Sequence, residues 1–215
     1  MKHTGSGGEV HADRGDGSAD VPTRGTIHRA GRLVVISGPS GAGKTSICNA
    51  LLEQLPGATW SVSVTTRPPR DGEVGGASYD FVSPEEFARR ESAGEFLEWA
   101  EYLGNRYGTP RAPVERALAA GRDVIMEIDV AGGTQVARKM PASVRIFVLP
   151  PNAESLRARL EGRRTEAQEQ LARRLANADG EIAAARDSGC YAHFVVNDVL
   201  DDTVEEVKRI IQQEQ

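Results

Sequence analysis

Gly38-Pro39-Ser40-Gly41-Ala42-Gly43-Lys44-Thr45 fits the pattern G-x-x-x-x-G-K-[ST]. Ahead of it runs Leu33-Val34-Val35-Ile36, an uninterrupted β-branched apolar run that reads as a buried parallel strand. Behind it, Ile47, Leu51, Leu52 and Leu55 recur at helical spacing. Strand, glycine loop and helix are the setting in which this pattern cradles phosphate. Glycines let backbone N–H groups approach an anion, and the helix N-terminus adds partial positive charge. In this reading Gly38, Ser40, Gly41, Ala42, Gly43, Lys44, Thr45 and Ser46 surround the phosphates of a nucleoside triphosphate. Lys44 reaches the β- and γ-phosphates, and the Thr45 hydroxyl ligates Mg2+.

The rest of the chain narrows the setting. Its 215 residues allow one domain with small insertions, and 39% hydrophobic with 27% charged residues is ordinary for a water-soluble chain. A net charge of −5 argues against a broad nucleic-acid surface. Cys48 and Cys190 lie far apart and in no metal-ligand spacing, which suits reduced thiols inside a cell. No apolar run has the length of a membrane span, and the N-terminus lacks a signal-peptide core, so a cytoplasmic protein is expected. Residues 1–32 are rich in Gly, Asp, Arg and His and are expected to form a disordered tail. His3, His11 and His28 in that tail read as solvated.

Beyond the loop, strands alternate with helices. Residues 59–66 read as one strand, 67–76 as a Pro- and Gly-rich loop, and 79–82 as a short strand. Ser83 followed by Pro84 and Glu86 marks a helix start. Residues 96–102 read as a strand with Phe96, Glu98 and Ala100 on one face and Leu97, Trp99 and Glu101 on the other. A helix is expected over 113–120, and a buried strand over 123–129 that ends in the carboxylates of Glu127 and Asp129. A helix over 133–139, a strand over 144–149, a strand over 193–198 and a helix over 204–211 complete the pattern. Between them, Arg157, Arg159, Arg163, Arg164, Arg173 and Arg174 fall on two expected short helices. The fold class implied is α/β: a P-loop, three-layer, doubly wound parallel sheet with an inserted, mostly β subdomain and a helical lid. The core is assigned to 33–62, 122–155 and 186–215, the insertion to 63–121 and the lid to 156–185.

A bound triphosphate can pass its phosphoryl group to water, to a protein side chain or to a small acceptor. A second anion site favours the last. Arg67 and Arg70 suit bidentate phosphate binding, and the Tyr79 and Tyr107 hydroxyls can complete such a site. Surface arginines and core tyrosines would show the same residue types. Glu98 stands on an otherwise apolar strand, where a carboxylate can accept from guanine N1–H and its exocyclic amine. A solvated strand glutamate is the plainer alternative.

These residues resemble the guanylate kinase family from about Leu33 to the C-terminus. The most specific stretch is Thr65-Thr66-Arg67-Pro68-Pro69-Arg70-Asp71-Gly72-Glu73 with Gly75, Tyr79, Phe81 and Val82. Glu95-Phe96-Leu97-Glu98-Trp99 and Gly104-Asn105-Arg106-Tyr107-Gly108-Thr109 extend it. The resemblance implies transfer of the γ-phosphoryl group of ATP to GMP and dGMP, giving ADP and GDP, with Mg2+, an essential step in recycling GMP. It implies that Arg67, Arg70, Tyr79 and Tyr107 hold the GMP phosphate and that Ser63, Glu98 and Thr109 read guanine. Glu127 and Asp129 match the acidic strand end that approaches GMP and the metal, Asp129 through water. Arg159, Arg163 and Arg174 match arginines that touch the ATP phosphates, and Asn197 a residue near adenine. Lys44, Arg67, Arg163 and Arg174 form the implied catalytic set. Nucleic acid and membrane are not expected partners, and a monomer or homodimer is. The chain departs from the family pattern at Val130-Ala131-Gly132-Gly133, where a Gln is usual, and at Arg164, where a second Gly is common. The family fold also occurs as a binding module in scaffold proteins, but those typically have a degraded phosphate loop, and here it is intact. A kinase of another small phosphate is the other alternative; Glu98 with Ser63 and Thr109 argues against it.

Overall fold

The apolar run before the glycine loop forms β1 (Leu33–Ser37) in the computed structural model. The remaining strands are β2 (Thr59–Trp60), β3 (Ser63–Thr65), β4 (Tyr79–Phe81), β5 (Phe96–Tyr102), β6 (Asn105–Pro110), β7 (Val124–Glu127), β8 (Val144–Leu149) and β9 (His193–Val196). The helices are α1 (Lys44–Gln54), α2 (Pro84–Ser92), α3 (Arg111–Ala119), α4 (Val130–Lys139), α5 (Ala153–Glu161), α6 (Gln168–Ser188) and α7 (Leu200–Gln213). The structure describes residues 30–70, 72–76, 79–102, 104–161 and 168–214, with backbone alone at 168–173.

β1 is the middle strand of a five-stranded sheet in the order β2-β7-β1-β8-β9, parallel throughout. Period two divides its apolar run between two layers. Val34 and Ile36 face α1 and α7, in a core with Ile47, Leu51, Val204, Val207 and Ile211. Leu33 and Val35 face α3 and α4, in a core with Val114, Ala117 and Val136. Helices on both faces explain why the strand reads as continuous apolar sequence. A second sheet, ordered β4-β3-β6-β5, joins β3 to β4 in parallel and β6 to both β3 and β5 antiparallel.

Several expectations are corrected. The single strand over 59–66 is two strands, one in each sheet, with the chain crossing between them at Ser61 and Val62. The alternation on β5 breaks at a bulge between Phe96 and Glu98. Phe96 and Trp99 therefore both pack with Phe87, while Leu97 joins the core with Val136. A bulge adds one residue and re-aims those beyond it. The helix expected over 133–139 begins at Val130, because the Asp129 side chain caps it by accepting from Gly132 N at 2.7 Å. α6 is one helix of 21 residues rather than a short one. The expected tail meets the structure only at 30–32, and there the chain is already built into the fold. Gly31 N donates to Leu118 O, and Arg32 pairs with Asp123 at 2.9 Å.

Leu51 of α1 is fully buried between β1 and α7. Leu51→Ala is expected to lower stability by about 2–5 kcal/mol, read as a lower urea midpoint with an unchanged slope.

Candidate active site

The glycine loop leaves β1 and enters α1 at the carboxyl ends of the parallel strands, where ligands of such sheets sit. Two of its glycines are required by close approach. A Cβ on Gly38 would stand 2.3 Å from Val148 O, and one on Gly43 would stand 2.2 Å from Asn197 Nδ2. Gly41 and Gly43 also take positive φ, at 86° and 93°. Lys44 Nζ donates to the Gly38 and Pro39 carbonyls at 2.7 and 3.1 Å, lying along the loop it is expected to serve. Ser40 and Gly41 are half-buried, Ala42 is buried and Ser46 is exposed at the first turn of α1.

Thr45 Oγ1 donates to Glu127, 2.9 Å from Oε2. The end of β7 thus stands against the end of the glycine loop. Asp129 lies two residues further on, and its carboxylate caps α4. Hydroxyl and carboxylate oxygens are the donor types Mg2+ prefers, and such sites complete themselves with substrate phosphates and water. Among the described residues no cluster of three or more His, Cys, Asp and Glu forms a cage for a metal. The residues at Thr45, Glu127 and Asp129 therefore fit a metal held largely by a phosphate ligand.

Asn197 follows β9. Its amide donates to Ala42 O at 2.7 Å and its Oδ1 accepts from Thr203 Oγ1 at 3.2 Å. Arg159 of α5 donates through Nη2 to Asn197 O at 2.9 Å, and its Nη1 is buried with no partner among the described residues. A buried, unpartnered guanidinium nitrogen beside a phosphate loop fits an anionic ligand. Arg174 is half-buried on α6. Arg163 and Arg164 lie outside the described residues.

The second sheet carries the other expected group. Arg67 pairs bidentately with Glu73, both contacts at 2.9 Å, and lies 5.5 Å from the Tyr79 ring and 5.6 Å from the Phe81 ring. Glu73 also accepts from Arg70 N at 2.8 Å, so one carboxylate holds the Arg67 side chain and the Arg70 backbone. The Tyr79 and Tyr107 rings meet edge to face at 5.8 Å. Burial raises the Tyr79 phenol, and the nearby Tyr107 and Glu127 charges raise it further. The Arg70 side chain is exposed.

Glu98 is not a solvated strand residue: it is 4% exposed. Its Oε1 accepts from Thr109 Oγ1 at 2.6 Å. Val64 pairs with Gly108, so one step along the ladder brings Ser63 to Thr109, and Thr109 pairs with Glu98. The three residues lie in a row across β3, β6 and β5. Burial pushes the Glu98 carboxyl up to about 7, against the lowering effect of the Thr109 hydrogen bond. Two glycines of the stretch Val130-Ala131-Gly132-Gly133 sit against side chains of other elements. A Cβ on Gly132 would stand 2.7 Å from Glu98 Oε2, and one on Gly133 would stand 2.0 Å from Tyr191 Oη.

Three residues were missed by sequence reasoning. Glu73 was named only within a motif, although a carboxylate six residues after an arginine in a tight loop is a pairing signal. Glu181, on α6, has a carboxyl raised by burial, with the Lys44 ammonium opposing. Gln135 binds the Trp99 backbone. The last two meet their partners only through tertiary packing.

The family model for guanylate kinase matches residues 30–214. A guanylate kinase from Symbiobacterium thermophilum is 51% identical over 184 residues, covering 86% of each chain. One from Rubrobacter xylanophilus is 50% identical over 183 residues, covering 85% of this chain and 94% of its own. The crystal structure of guanylate kinase from Anaplasma phagocytophilum superposes with a TM-score of 0.70 at 35% identity, covering 87% of each chain. A glycine loop on a parallel sheet, with this extent and level of similarity, means that the chain belongs to the guanylate kinase family and is a nucleotide-binding kinase.

Proposed function

We propose that this chain transfers the γ-phosphoryl group of ATP to GMP, and likewise to dGMP, giving ADP and GDP or dGDP, with Mg2+, and so recycles GMP into the guanine nucleotide supply. The observation that carries the choice of acceptor is Glu98, a buried carboxylate bonded to Thr109 and aligned with Ser63. An ionised Glu98 accepts from the two N–H groups on the guanine edge, and Ser63 and Thr109 complete the row. Adenine presents an acceptor at N1 and would leave the carboxylate unpaired in a buried place, which is how such sites reject a wrong base.

On the donor side, the backbone N–H groups of the 38–46 loop bind the triphosphate, and Lys44 exchanges its loop carbonyls for phosphate oxygens. Thr45 would hold the metal, with Asp129 acting through water, and the Glu127 carboxylate beside Thr45 would help to position it. The metal when bound neutralises charge on the phosphates. Arg159, Arg163 and Arg174 bind the triphosphate from the lid, and Asn197 holds the loop near the adenine. On the acceptor side, Arg67, Arg70, Tyr79 and Tyr107 take the GMP phosphate, with the Arg67 fork exchanging its Glu73 partner for phosphate oxygens. Phosphoryl transfer of this type needs positioning and charge stabilisation rather than a covalent intermediate. The residues serve the reaction as an inserted acceptor-binding segment over 63–121 and a lid over 156–185, closing on the core to exclude water.

The function is tested by ADP release with GMP, dGMP, AMP, UMP and ribose bisphosphate as acceptors. Turnover with GMP and dGMP is expected; another acceptor phosphorylated in place of GMP would sink the proposal. Lys44→Ala should lower kcat on the order of 10²–10³-fold, with GMP binding, measured by calorimetry, retained. Glu98→Gln should lower kcat/KM for GMP on the order of 10²-fold and narrow the preference over AMP. Unchanged selectivity would mean that Glu98 does not read the base.

A pH dependence follows from the same group. Glu98 protonates near pH 7, and its neutral form cannot accept both guanine N–H groups. The binding-competent fraction therefore falls as pH falls through that value. GMP should bind about tenfold more weakly at about pH 6 than at about pH 8. The Glu98→Gln variant shares the phosphate ionisation of GMP but not this protonation, so its profile should be flatter over the same range.

A further inference from the structure

β5 is the last strand of the second sheet, and among the described residues no strand pairs with its outer edge. Helix α4 of the central layer lies along that edge instead. Gln135 Oε1 accepts from Trp99 N at 3.2 Å, and Gln135 Nε2 donates to Trp99 O at 2.7 Å. One carboxamide thus takes both main-chain groups of a single residue, as a neighbouring strand would. One turn further along the helix, Lys139 Nζ donates to Phe96 O at 3.2 Å.

These contacts bracket Glu98, with Trp99 one residue after it and Phe96 two before. The bracket falls where the strand needs it. The bulge between Phe96 and Glu98 interrupts the ladder to β6 at this point, so regular pairing holds the stretch less firmly. The same helix meets the Glu98 side chain at Gly132, where the missing Cβ leaves room for Oε2. It starts at Val130, capped by Asp129, two residues after the Glu127 that touches Thr45. A single rigid element therefore connects the acidic strand end to the backbone on either side of Glu98.

We propose that Gln135 is a positioning residue for the acceptor base: by binding the Trp99 backbone it holds Glu98 in the geometry that guanine requires. Gln135 does not touch the base and acts through β5. The proposal rests on the reading that Glu98 recognises guanine. Hydrogen bonds weaken steeply off their axis, so a loosened edge loses base affinity before it loses the fold. An adenine nucleotide at the glycine loop is not served by this contact.

Gln135→Met keeps length and volume and removes both hydrogen bonds. Gln135→Glu keeps the acceptor for Trp99 N and removes the donor to Trp99 O. The expected result for Gln135→Met is a KM for GMP raised about tenfold, the size of two lost hydrogen bonds. kcat at saturating GMP and KM for ATP should stay within about twofold of the parent. Gln135→Glu should raise KM for GMP in the same direction, and it decides the matter by the same constants if Gln135→Met does not fold. Hydrogen exchange at the Trp99 amide should quicken while that at Ile36 stays unchanged. In a Glu98→Gln background the effect of Gln135→Met on GMP should shrink, because the two act through one contact. A parental KM for GMP, or a KM for ATP rising in step with it, overturns the proposal. That failure is distinct from failure of the guanine reading, which shows as unchanged base selectivity in Glu98→Gln alone.

Discussion

The parallel register of β1 with β7 sets the position of nearly everything else. Ile36 pairs with Glu127, so the chain turns at Gly38 directly beside the last residue of β7. The acidic strand end and the phosphate loop are then neighbours without any long reach, and Thr45 meets Glu127 at 2.9 Å. β8 sits on the other side of β1, so close that Gly38 has room for no side chain. β9 then delivers Asn197 to Ala42 O from beyond β8. The loop is shaped by three strand ends and by the absence of two Cβ atoms. Backbone amides held in this way need no reorganisation when an anion arrives, which is the source of their strength.

The acceptor half is organised by a different constraint. A sheet edge that carries a buried carboxylate must be held without exposing its own polar groups. Helix α4 meets that need with one side-chain amide, one ammonium and one missing Cβ, at Gln135, Lys139 and Gly132. The glycine pair at 132–133 is thus a packing requirement, with Glu98 on one side and Tyr191 on the other. Tyr191 is itself raised by burial, so it stays a neutral phenol beside β1.

Charge is handled differently at the two anion sites. Arg67 is paired with Glu73 and lies close to the Tyr79 and Phe81 rings, so it is not a bare cation. Arg159 instead keeps one nitrogen buried without a partner among the described residues. The first arrangement ties Arg67 to a carboxylate, and the second leaves unmet hydrogen-bonding capacity beside the glycine loop.

The phosphate loop, its flanking strand and helix, and the alternation of strands with helices were legible in the chain, because glycine spacing and side-chain period are local properties. The cap at Ser83, which accepts from Glu86 N, was legible for the same reason. Element ends were less so: the split of 59–66 between two sheets depends on partners far away in sequence, and both halves have the composition of a strand. The bulge in β5 could not be read either, since only the mismatch with β6 shows the extra residue. By itself the sequence determined that a phosphate loop of this family exists and that Arg67 and Arg70 stand in a short loop, through residue type and spacing. Only the tertiary structure decided that Glu98 is buried, that Asp129 caps a helix while Glu127 meets Thr45, and that Gln135 closes the edge of β5. Burial and pairing of a polar group depend on what packs against it, and its neighbours in the chain do not specify that.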